Sequence, residues 1–159
     1  MEPVVTGSVG KVHAFRIEMG EPFLETLQKV CEDNNIKNGV ILSCMGSLDG
    51  ARFFAPVEIP GKKFPYGYGD PTVLTGPIEL YGATGFISHG EKDEVLLHVH
   101  VSLGDSEGKG YVGHLIDGNK ALFTIDVVLM EIEGINMGRK YYDDLGVYLF
   151  APSKKEGKD

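Results

Sequence analysis

The chain has 159 residues, of which 42% are hydrophobic and 24% charged, and its formal net charge is −8. That composition suits one globular domain, long enough to bury about two-thirds of its unfolded surface without staples. The acidic balance, with Arg16, Arg52 and Arg139 the only arginines, counts against direct binding of phosphate backbones, and no run approaches the ~20 apolar residues of a membrane span.

Glycine is over-represented at 22 residues, close to double the usual ~7%, which implies short elements joined by tight turns and favours a β-rich fold. The start "MEPVVTGSVG" lacks the charged-then-apolar pattern of a secretory signal. Cys31 and Cys44 fall in apolar settings and read as small buried hydrophobes, so a reducing cytoplasm is the expected home.

Residues 1–10 read as an N-terminal arm, and a strand is predicted over 11–19 from the apolar Val12, Ala14, Phe15 and Ile17. Gly20-Glu21-Pro22 then opens a helix, with proline in the first turn and Glu21 near the positive end of the dipole. Phe23, Leu24, Leu27, Val30 and Cys31 form its apolar stripe, and Asn34-Asn35 and Gly39 end it. "GVILSCMGSL" reads as a buried strand, followed after an Asp49-Gly50 turn by a second strand in "GARFFAP".

Between 56 and 72 four prolines and three glycines alternate around Phe64, Tyr66 and Tyr68, the signature of a flap or subunit contact rather than plain disorder. Strands are then predicted in "PIELYGATGFIS", "EVLLHVHVSL", "KALFTIDVVLMEI" and "KYYDDLGVYLF", with a second short helix around 113–119. The polar stretch 151–159 is expected to fray. The pattern is α+β: one domain over 11–150, with a mainly antiparallel sheet flanked by one or two helices.

Side chains alternate along a strand, so His98, His100 and Ser102 share one face while Leu97, Val99, Val101 and Leu103 line the other. The two histidines have Cα atoms roughly 6.5–7 Å apart, close enough for both imidazoles to meet one cation. "GDSEGKG" is a strong turn signal, and a hairpin centred on Glu107 sets His114 directly opposite His100. Three imidazoles with one position left open make a zinc site of the catalytic kind. The alternative on spacing alone is imidazoles that hydrogen-bond across a subunit interface, and any register with an odd sum removes His114. His13 and His89 read as surface or loop residues.

Glu79, between Ile78 and Leu80, and Asp126, between Ile125 and Val127, are the candidate general acid/base or supporting carboxylates. Each either faces solvent or has a buried task. No phosphate-binding glycine loop and no nucleophile elbow is present.

The segment "LLHVHVSLGDSEGKGYVGHLIDGNKALFTIDVVLMEI", with "GEPFLETLQKVCEDNNIKNGVILSCMGSLDGA" and "GPIELYGATGFIS", resembles the plants-and-prokaryotes-conserved (PPC) domain. The resemblance implies an α+β homotrimer in which His98, His100 and His114 hold zinc near a subunit interface, and a DNA-binding or regulatory role. The Arg-Gly-Arg-Pro core of an AT-hook is absent. A fold-level likeness to acetolactate decarboxylase implies the other reading, a zinc-dependent lyase or hydrolase acting on a small molecule.

Overall fold

A computed structural model describes residues 4–155. Strand β1 (Ser8–Ile17) starts earlier than its apolar alternation suggests, because Ser8 and Val9 pair with Glu133 and Ile132. Three residues of the segment 1–10 thus belong to the sheet, and residues 1–3 lie outside the described residues.

Helix α1 (Phe23–Asp33) begins after an extended Pro22 and buries Phe23, Leu27 and Cys31, one side chain per turn along one stripe. It ends where the Asn34 side chain donates to the Val30 carbonyl at 2.9 Å and Asn35 turns left-handed at φ 54°. Gln28 Nε2 ties the helix to the sheet by donating to the Val95 carbonyl at 2.8 Å.

The expected pair of strands before and after Asp49-Gly50 is one long strand, β2 (Gly39–Phe54). Gly50 does not turn the chain back; at φ 80° it forms a bulge that keeps both Leu48 and Ala51 in the core. The segment 56–72 carries a small hairpin, β3 (Pro56–Glu58) paired with β4 (Tyr66–Tyr68). Strands β5 (Thr72–His89), β6 (Val95–Asp105), β7 (Gly110–Leu115) and β8 (Ala121–Glu133) follow.

Among the described residues α1 is the sole helix, and the second one expected around 113–119 is absent. Residues 110–114 instead pair with β6, Leu115 pairs with Phe53 of β2, and Asn119 caps the following turn. It accepts from the Arg52 amide at 2.7 Å and donates to the Arg52 and Ile116 carbonyls. The last predicted strand is a hairpin, β9 (Ile135–Tyr142) and β10 (Val147–Lys154), turning at Gly146 with φ 69°. The expected fraying is therefore not seen at 151–154, where Pro152 is tolerated because β10 is an edge strand. Residues 156–159 lie outside the described residues.

Eight strands run in the order β1-β8-β2-β7-β6-β5-β9-β10, antiparallel except for one parallel bridge between His89 and Gly138. β2 also pairs with β5, so β2, β5, β6 and β7 close into a ring. The core draws on these strands together with β1, β8 and α1, with Ile17, Phe23, Leu27, Ile41, Leu48, Ile78, Leu80, Ile87, Val99, Ile125 and Leu129 all buried. Val99, Val101 and Leu103 of β6 point into it, so the histidines between them point out.

Candidate metal centre

β6 is bonded on both sides, and its neighbours complete the site. Toward β7, His100 is in register with His114, the pairing that a hairpin centred on Glu107 requires. Toward β5, Phe86 faces His98 and Thr84 faces His100. Cross-strand partners share a face, so one outward patch carries three imidazoles, an aromatic ring and a hydroxyl.

One ligand nitrogen from each of His98, His100 and His114 lies within 4.8 Å of the others. His98 Nε2 and His100 Nε2 are 3.1 Å apart. Two nitrogens bound to one tetrahedral zinc at ~2.05 Å would sit roughly 3.3 Å apart, so this pair is already at ligand spacing. His114 Nδ1 is buried without a hydrogen-bond partner. Leaving it so costs about 1–3 kcal/mol, a penalty that a bound ligand would offset. The donor set therefore fits a divalent ion that favours imidazole.

Electrostatics favour the neutral, ligating form. Burial, with the nearby charges of His114, Arg139 and His100, pushes the His98 pKa down to about 4. His114 is lowered as well, by burial first and then by His100 and Arg139. Metal ligation requires unprotonated imidazole, which these shifts supply at neutral pH.

The site is walled by segments distant in sequence. Tyr68, from the β3–β4 hairpin, stacks on His114 with ring centroids 5.1 Å apart and on Phe54 at 5.3 Å. Phe150 of β10 stacks on Phe86 at 5.0 Å. Lys63 and Asp144 join the two hairpins at 3.0 Å, an exposed contact of little energetic weight. A recess of about 230 Å³, lined by Val40, Thr84, Gly85, Phe86, His98 and His100, opens beside the cluster.

Glu79 and Asp126 are exposed, and neither belongs to the three-histidine cluster. Glu79 is in register with Gly104, four residues along β6 from His100, and Asp126 lies opposite Arg16 and Met45. His13 and His89 are half-buried strand residues rather than free surface or loop groups: His13 Nε2 meets Glu131 Oε1 at 2.7 Å and His89 Nε2 meets Asn136 Oδ1 at 2.5 Å. Cys31 and Cys44 are fully buried free thiols whose pKa values burial pushes up to about 12, which leaves them inert.

Sequence reasoning missed Tyr68, Phe86, Phe150 and Arg139. Phe86 and Thr84 become legible once the β5–β6 register is known; the other three reach the site by long-range packing that leaves no periodic trace.

The family model of the Plants and Prokaryotes Conserved (PCC) domain matches residues 4–133. A plant- and prokaryote-conserved protein from Pyrococcus horikoshii is 27% identical, with a TM-score of 0.76 over 96% of each chain. A metal-containing protein from Archaeoglobus fulgidus has the same fold at 24% identity and a TM-score of 0.76, over 93% of this chain and 98% of its own. So does a Bacteroides thetaiotaomicron protein named as a candidate DNA-binding protein, at 20% identity and a TM-score of 0.73, over 91% and 96%. Among curated proteins, the bifunctional protein GlmU of a Synechococcus strain is 25% identical over 130 residues; the match takes in 82% of this chain and 18% of that protein's length.

Proposed function

The chain belongs to the Plants and Prokaryotes Conserved domain family, and on that premise we propose that it is a trimeric zinc-binding module with a regulatory role. The observation that carries this reading is the convergence of three imidazoles, one with an unpartnered buried nitrogen, on one patch of the outward sheet face. His98, His100 and His114 would hold the ion, and Tyr68 would fix the His114 ring. A metal-containing relative of the same fold from Archaeoglobus fulgidus supports the assignment.

The homotrimer is supported by apolar side chains left open on the strands. Leu42, Met45, Phe86 and Val112 are large apolar side chains between 40% and 71% exposed, surface that neighbouring copies would cover. The net charge of −8 disfavours direct contact with a DNA backbone, so any role at DNA runs through partners. Two free buried thiols fit a cytoplasmic setting.

A second reading, a zinc-dependent lyase or hydrolase, is favoured by one observation: the recess beside His98 and His100 leaves room for a small ligand at an open position. Zinc bound there would supply Lewis acidity, and Glu79 or Asp126 would have to act through solvent or a partner subunit.

Titration of the metal-free chain with zinc against a chromophoric chelator tests the primary reading. It should load one ion per chain, on a particle that sediments at the mass of three chains. A monomer that takes up no zinc would refute both parts. Duplex DNA titrated at low ionic strength checks the charge argument, which fails if tight, salt-sensitive binding appears.

A further inference from the structure

Arg139 has no place in the three-histidine set, yet the fold brings it there. It is in register with Phe150 across the β9–β10 hairpin, so the two side chains share a face. Phe150 stacks on Phe86 with the rings 11° from parallel, and Phe86 is the cross-strand partner of His98. The hairpin therefore lies over the site, and the guanidinium charge is felt at both His98 and His114.

One edge of that guanidinium is anchored, since Nη2 donates to the Tyr148 carbonyl at 3.0 Å. Its Nε is buried with no partner. Besides burial, the charges that depress the His98 pKa are those of His114, Arg139 and His100. A divalent ion held beside a guanidinium makes an electropositive site, and an unpaired N–H in it calls for an acceptor. The recess beside His98 and His100 is small and walled on its other sides by Val40, Thr84, Gly85 and Phe86, which suits a compact ligand with little polar surface beyond its anionic end.

We propose that Arg139 is the anion anchor of this site and that its ligand is a small carboxylate, held between the histidine-bound metal and the guanidinium. This rests on the three-histidine metal reading and adds the ligand class. Arginine suits the role because its planar fork matches a carboxylate in a way that lysine does not.

The test uses acetate as the probe on the full chain loaded with cobalt(II), whose visible bands report changes in coordination. Acetate should shift those bands saturably, while acetamide, of equal size but uncharged, should not. Arg139→Gln should keep the wild-type cobalt content and weaken acetate at least tenfold, with Arg139→Lys in between. Equal acetate affinity in wild type and Arg139→Gln, or equal affinity for acetamide, overturns the proposal while leaving the metal reading intact. Failure of the wild type to load cobalt refutes the metal reading instead. Saturation-transfer NMR of acetate on the metal-free chain then decides the arginine's part, which is refuted if Arg139→Gln gives the wild-type signal.

Discussion

Gly85 sits where β5 crosses closest to the histidine strand, and replacing it with alanine is a direct test of that packing. A Cβ at this position would lie 2.1 Å from the His98 carbonyl oxygen and 3.0 Å from Val99 Cα, both backbone atoms that cannot rotate away. Ordinary contact begins near 3.4 Å, so β6 would have to retreat by about 1.3 Å at His98. A ladder bond of ~2.9 Å stretched that far is lost. Overpacking of about 1–3 kcal/mol, with one such bond at about 0.5–1.5 kcal/mol, gives a loss of roughly 2–4 kcal/mol. With a urea m-value of about 2 kcal/mol/M, the unfolding midpoint should fall by roughly 1–2 M. Gly82→Ala on the same strand is the control, because nothing lies within 4 Å of a Cβ there. Its midpoint should stay within about 0.3 M of wild type or rise slightly. If both variants unfold at the wild-type midpoint with an unchanged m-value, the close approach at His98 is not real.

Three further outcomes follow from the same structure. The folded-state pKa of His98 lies near 4, below its ordinary 6.5, so the unfolded chain binds the proton first as pH falls. Stability of the metal-free chain should therefore decline through the window from about 6.5 down to about 4, and His98→Gln should flatten that decline; a thermal midpoint that rises on acidification would contradict this. Tyr68→Ala removes two ring stacks and should cost about 1–3 kcal/mol while exposing the β3–β4 hairpin to protease, which limited proteolysis against wild type would reveal. Asn119→Ala deletes a buried clasp to Arg52 and Ile116 and should cost about 2–4 kcal/mol in chemical unfolding, more than Asn34→Ala, whose side-chain bond to the Val30 carbonyl is exposed.

The histidine site was legible because it rests on local rules. Alternation put His98 and His100 on one face, and a seven-residue spacing on either side of Glu107 brought His114 opposite His100. The stripe of α1 was equally plain, since Phe23, Leu27 and Cys31 recur once per turn. The misreadings share a cause: turn chemistry is ambiguous until tertiary contacts choose. Asp49-Gly50 has the composition of a hairpin turn, but burial of Leu48 and Ala51 makes the positive φ of Gly50 a bulge within one strand. The stretch 113–119 looked helical, yet Gly113 and His114 pair with Val101 and His100 of β6, and a Cβ at Gly113 would fall 2.2 Å from the Phe53 ring. Arg139, Tyr68 and Phe150 reach the site from hairpins far along the chain, and no local periodicity encodes such a contact.

The most direct test of the central claim is elemental analysis of the purified protein beside His98→Ala and His114→Ala, each checked for folding by near-UV circular dichroism. Three-histidine ligation predicts close to one divalent ion, zinc foremost, per wild-type chain and a loss of most of it in each variant. Equal metal content in all three folded proteins, or none in any after zinc is supplied, would contradict it.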